Sequence, residues 1–211
     1  MKRTALLLAL FLAACGGSGS GIDPNLLAAA QCTGIGLENL DAIFSEVTGL
    51  LEAIGGTLPP NVTYAAPDYT ITTSFGTIAG SVTSTDDISD GIDAGEAASA
   101  SWNLAPLAGG VLAGNGTFNL SRLTDALFTV TGDGSVVDGT CVFNATDVDL
   151  DIDLATALGP VGSFDFNGVT PNGPITGTMT FDGSAAAAVE ALFLGLTTTF
   201  TIDLDTFLPD F

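Results

Sequence analysis

The chain of 211 residues carries 24 acidic side chains against 3 basic ones and has no His, while 46 % of its residues are apolar. Its length suits one domain and its apolar fraction suffices for a core. So acidic a body cannot neutralise phosphates, which excludes nucleic acid as a partner and leaves anionic head groups repelled.

Lys2 and Arg3 precede a compact apolar run, Ala5 to Phe11, that continues through Leu12, Ala13 and Ala14. The run is shorter than the ~20 residues of a membrane-spanning helix and fits the h-region of a secretory signal. Leu12-Ala13-Ala14-Cys15 resembles the lipobox of bacterial lipoproteins. The resemblance implies removal of residues 1–14, a diacylglycerol on the Cys15 thiol and an acylated new N-terminus. With Gly16 rather than Asp after the cysteine, it implies the outer membrane, on its periplasmic or surface face. Acyl chains contribute ~0.8 kcal/mol per buried methylene, so such attachment would be stable. Gly16-Gly17-Ser18-Gly19-Ser20-Gly21 reads as a flexible tether. The expected organisation is a signal peptide over 1–14, a lipidated tether over 15–22, and a single β-rich domain over 23–211, helical in 23–56 and sheet in 60–211. Losing Lys2 and Arg3 would leave Arg122 alone against 24 acids, a formal charge of −23. That excess fits either a soluble body in a salty medium or a binder of cations.

Asp23-Pro24 reads as an N-cap followed by Pro at the first helical position. A short helix is expected over Leu26 to Gln31, interrupted at Thr33-Gly34. Leu37, Leu40, Ile43, Phe44, Val47, Leu50, Leu51 and Ile54 then follow helical spacing, with Gly55-Gly56 as the stop. This stripe needs a surface to cover, and a sheet face is the obvious one.

From Pro59-Pro60 onward the period becomes two. Strands are expected at Tyr69 to Phe75, continuing to Val82 through a bulge at Gly76, and at Ser101 to Leu104, after an acidic loop over 84–98. Further strands are expected at Gly116 to Leu123 and Ala126 to Thr131. Gly132-Asp133-Gly134 reads as a turn, and Val136 to Leu154 as a strand pair or one long strand. A hairpin over Ser163 to Phe166 and Ile175 to Phe181 turns at 171–174, and Asp182-Gly183 turns again. Ala185 to Ala191 fits helix or strand, and Leu194 to Leu204 forms a closing strand. The fold class is α+β, mainly β: an antiparallel, curved meander of eight to ten strands or a partial barrel, with the 37–54 helix packed on one face.

With Cys15 lipidated, Cys32 and Cys141 form an even pair in an exported chain and read as a disulfide, with two separate buried thiols as the other reading. Two acidic stretches are candidates for Ca²⁺, which takes six to eight oxygens. The first is the loop Asp86, Asp87, Asp90, Asp93 and Glu96. It partly resembles an EF-hand loop, but Ile88 stands where a ligand belongs and Glu96 comes one position early. The second is Asp147, Asp149, Asp151 and Asp153, which a strand would place on one face about 6.6 Å apart. Either stretch also reads as a solvated acidic surface. Arg122 reads as a structural ion pair or as an anchor for a ligand carboxylate or phosphate.

Without His there is no Ser-His-Asp or Cys-His arrangement and no His-ligated zinc or iron. Without Lys in the mature chain there is no Schiff-base chemistry. Only a carboxylate pair could support hydrolysis, and nothing singles one out among the acids. The expected function is therefore a non-catalytic envelope lipoprotein acting through an envelope protein partner or in structure. The alternatives are a carrier of an apolar, lipid-like ligand between sheet and helix, and a calcium-dependent surface or adhesion module. No cofactor other than Ca²⁺ is expected.

Overall fold

The computed structural model describes residues 22–84, 91–153, 155–156 and 158–211. Residues 1–21, to which the expected signal, Cys15 and most of the expected tether belong, lie outside them. The described chain begins with one long helix, α1 (Pro24–Ala53). Asp23 caps it by accepting from the Asn25 amide at 2.8 Å, and Pro24 supplies the preset backbone of the first turn. At the other end the Ile54 amide donates to the Leu50 carbonyl, and Gly55 turns away with φ +87°.

The expected break at Thr33-Gly34 is absent. The Thr33 hydroxyl donates back to the Ala29 carbonyl at 3.1 Å, so a polar side chain 1 % exposed needs no partner outside the helix. Gly34 and Gly36 serve contact rather than interruption. A Cβ on Gly34 would strike the Phe207 carbonyl, and one on Gly36 would strike the Phe143 ring. Farther along, Ile43, Val47, Leu50 and Leu51 are at most 2 % exposed. Each such side chain taken from water contributes about 1.5–3 kcal/mol.

The rest is one antiparallel meander in which every strand pairs with its sequence neighbours. Its strands are β1 (Val62–Ala65), β2 (Asp68–Thr72), β3 (Gly76–Ser84), β4 (Ala97–Pro106), β5 (Ala113–Arg122) and β6 (Leu127–Asp138). They continue as β7 (Cys141–Asp153), β8 (Val161–Thr170), β9 (Gly173–Asp182), β10 (Ala186–Phe193), β11 (Leu196–Asp203) and β12 (Pro209–Asp210). The edge strands β1 and β12 do not pair with each other, so the sheet curves without closing into a barrel. The expectation of a curved meander with a helix on its apolar face therefore holds, with twelve strands among the described residues rather than eight to ten.

Two local readings are corrected and one left open is decided. Gly76 opens β3 after a tight turn at 73–75, where the Thr73 amide and hydroxyl both donate to its carbonyl; it is not a bulge within one strand. Of the two forms open to Ala185 to Ala191, strand is the one found, as part of β10. Gly132-Asp133-Gly134 does not turn the chain but sits inside β6, opposite an extra residue in β7. At that bulge Asp147 takes φ +53° and its amide donates to the Asp133 carboxylate at 3.1 Å.

The bulge decides which side chains face the helix. Before it, odd-numbered Phe143 and Ala145 are buried. After it, even-numbered Val148, Leu150 and Ile152 turn inward, and Asp149 and Asp151 turn out. One extra residue thus keeps the apolar set on one face while its parity changes. Beside it, the Trp102 indole lies over Gly114, Gly116 and Gly134, where any Cβ would crowd the ring, and stacks on Phe118 at 5.6 Å.

Candidate functional site

The stripe on α1 meets the sheet closely at one end and loosely at the other. Cys32 is bonded to Cys141 with Cα atoms 5.5 Å apart, which bears out the expected disulfide and holds the helix at the start of β7. Beyond Gly36 the helix carries large side chains. The Phe44 ring stands edge-on to Phe118, with centroids 5.2 Å apart. Between these two attachments lies a cleft of about 430 Å³. Leu37, Leu40, Phe44 and Thr48 form its helical wall, and Val130, Val148, Leu150, Ile152 and Phe164 its floor. Leu204 and Phe207, from the link between β11 and β12, close one side. Leu158, 69 % exposed, stands at the lip. The volume falls within the ~300–1,000 Å³ of small-molecule sites, and an apolar lining with few polar groups is their usual composition.

Three polar side chains reach the cleft, Asp41, Ser45 and Thr48. Thr48 is satisfied internally, donating to the Phe44 carbonyl at 2.9 Å. Asp41 keeps contact with solvent, yet neighbouring groups remove enough water to raise its carboxyl above the usual aspartate value. Glu38, one turn back, is raised by desolvation and by the charges of Asp138 and Asp41.

Along the helix a small hollow of about 80 Å³ shares Phe44, Thr48 and Ile152 with the cleft. It leads to a pocket of about 240 Å³ bounded by Leu51, Glu52, Ile92 and Arg122. Arg122 is committed there as a clasp. It donates to the Ile92 carbonyl at 2.7 Å and the Asp125 carbonyl at 3.3 Å, approaches the Asp125 carboxylate at 3.8 Å, and covers the Phe128 ring at 5.5 Å. The ion pair with Asp125 is present, and carbonyl oxygens are the nearer partners.

Among the described residues the acidic candidates do not converge. Asp86, Asp87 and Asp90 lie outside the described residues. The Glu96 carboxylate accepts from the Asp93 amide at 2.7 Å, which folds that segment upon itself. Asp149 and Asp151 lie on the outer face, and Asp151 accepts from Thr129 at 2.7 Å across the strand pair. Asp153 accepts from the Ala155 amide, and Asp147 occupies the bulge. Among the described residues no three His, Cys, Asp or Glu side chains are placed to hold a metal ion.

Asp41, Leu204 and Phe207 are not legible from the sequence as site residues. A carboxylate within the helical stripe is the one available signal for Asp41. Nothing local marks Leu204 and Phe207, which reach the cleft only because a turn at Asp203 folds the last strand back. There the Asp203 carboxylate accepts from the Asp205 and Thr206 amides and the Thr206 hydroxyl. No family model matches the chain, and no match is found among curated proteins or solved structures.

Proposed function

We propose that the protein is a non-catalytic, lipid-anchored envelope protein whose folded body binds an apolar, lipid-like ligand in the cleft under α1. The 430 Å³ cleft carries this reading. A sheet and helix evolved only to pack would interdigitate to near-crystalline density, whereas here large side chains from five strands surround unfilled space. The anchoring half rests on Lys2, Arg3, the apolar run and the lipobox-like Leu12-Ala13-Ala14-Cys15, followed by a glycine-serine tether. No helix among the described residues is long and apolar enough to cross a membrane.

Two measurements test the halves separately. The mass of the purified chain reports acyl groups on Cys15, and Cys15→Ser is expected to leave the membrane fraction. For the cleft, the neutral fluorophore N-phenyl-1-naphthylamine is expected to bind saturably, and Thr48→Trp, which fills the cleft from a half-exposed helical position, to weaken it at least tenfold. Native mass spectrometry should then show a co-purified apolar molecule that this variant lacks. Fluorophore binding that Thr48→Trp leaves unchanged would overturn the cleft reading, whatever the fate of Cys15.

A further inference from the structure

Because the strands alternate in direction, their connections fall at two ends of the sheet. The links after β2, β4, β6, β8 and β10 share one end, and the others share the opposite end. Charge divides between them. No charged residue occurs from Ala97 to Ser121, from Phe166 to Phe181 or from Ala191 to Ile202, the spans that contain the β4–β5, β8–β9 and β10–β11 tips. Asp138 precedes the β6–β7 turn at that end, with Glu38 of α1 near it, and Asp23 caps the helix N-terminus. The opposite end carries Asp93, Asp125, Asp153, Asp182 and Asp205. In so acidic a chain, three charge-free hairpin tips at one end are a marked asymmetry.

The charge-free tips are apolar and exposed: Leu107, Val111, Val169, Leu192, Leu194 and Leu196. Exposed apolar residues also occur at the acidic end, at Leu123, Leu158, Val161 and Leu208; what sets these tips apart is that no acid accompanies them. The β8–β9 and β10–β11 tips meet, since a Cβ on Gly173 would lie 3.1 Å from a Leu194 methyl. Leu194 also has φ +50°, and Gly195 +82°, in a two-residue turn. Such turns favour Asn or Gly at the first position, and a branched apolar residue there strains the backbone. The turn itself therefore does not explain a leucine that is 58 % exposed.

The helix supplies the direction. Cys32 is bonded to Cys141, next to the β6–β7 turn, whereas Leu51 and Glu52 lie beside Ile92 and Arg122 at the acidic end. Along β7 the helix therefore runs from the charge-free end toward the acidic end, while Gly34 also meets Phe207 of the β11–β12 link. Cys15 precedes Ile22 by seven residues, a reach of at most roughly 25 Å.

We propose that this end is a membrane-contact surface whose apolar tips enter the interfacial layer of a phospholipid bilayer. The inference builds on the lipid-anchor reading and adds a second contact that fixes the body's orientation. The acidic end then faces away from the lipid, where its charge is least opposed by anionic head groups.

Tryptophan quenching tests it in the full chain, reconstituted with phosphatidylcholine vesicles brominated in the acyl chains. Trp102, 2 % exposed, gives a constant background. Leu194→Trp is expected to be quenched several-fold more than Leu123→Trp, which reports on an exposed position at the acidic end. Adding Leu194→Asn to a Leu192→Trp reporter should reduce quenching with no loss of melting temperature, because Asn suits the turn. Equal quenching at both ends, or none in vesicle-bound protein, overturns the surface and leaves the anchor standing. Failure of the chain to sediment with vesicles overturns both. Without vesicles, a blue shift in the emission of the Leu194→Trp variant that depends on protein concentration assigns the tips to a second copy and overturns the bilayer contact.

Discussion

The two halves of α1 meet the same sheet under opposite rules. From Ala29 to Gly36 the buried residues are small, the backbone approaches closely, and a disulfide fixes the distance. From Leu37 to Ile54 the residues are large, the helix is held off by its own side chains, and the cleft opens. A periodic apolar stripe says only that a helix will be covered. The size of the residues in the stripe sets how far away the cover stands, and so whether space remains between them.

Removing the staple is the largest test of this contrast. Cys32→Ser with Cys141→Ser opens a loop closed across 109 residues and should cost about 2–5 kcal/mol of folding stability, read from denaturant midpoints. A loss well under ~1 kcal/mol would mean that the close half stands without its bond. Next come glycine substitutions within the one helix. Gly36→Ala pushes a methyl into the Phe143 ring and should destabilise by roughly 1–3 kcal/mol. Gly49→Ala meets nothing within 4 Å and should stabilise by about 0.5–1 kcal/mol through helix propensity. The same exchange thus changes sign 13 residues apart. If both changes destabilise, the difference between the halves lies elsewhere than in approach distance.

The stripe from Leu37 to Ile54, most hairpins and the Cys32–Cys141 pair are legible in the sequence because each follows from local spacing or from counting. The features that shape the site are not, because they depend on partners distant in sequence. Gly34 reads as a breaker until Phe207, folded back by Asp203, lies against it. Gly132-Asp133-Gly134 reads as a turn because glycine pairs usually mark one. Only pairing with β7 shows that the same residues accommodate a bulge that rotates Val148, Leu150 and Ile152 toward the helix. The outward face of Asp149 and Asp151 is legible in the acidic alternation, and the neighbouring Thr129 explains how Asp151 is accommodated there. The charge-free tips are visible in the sequence as spans without acids. Their shared end follows only from the strand order.

The smallest predicted effect compares two carboxylates, one on the loose half of α1 and one in the turn that closes the cleft. Desolvation raises Asp41, so the folded protein holds that proton more tightly than the unfolded chain. Its contribution to stability is complete below the ordinary aspartate value of about 3.9 and is lost as pH rises through the raised folded value. Asp203 is lowered by its bonds from Thr206 and from the Asp205 amide. Its contribution is present above the ordinary value and is lost as pH falls through the lowered one. Asp41→Asn should therefore raise the melting temperature at pH ~7, with the gain fading as the medium approaches pH ~3.5. Asp203→Ala should lower it at neutral pH, with the loss shrinking in acid. Melting curves of the two variants across that range should converge on the parent chain from opposite sides. Parallel displacement from it at every pH would mean that shape rather than charge separates the two positions.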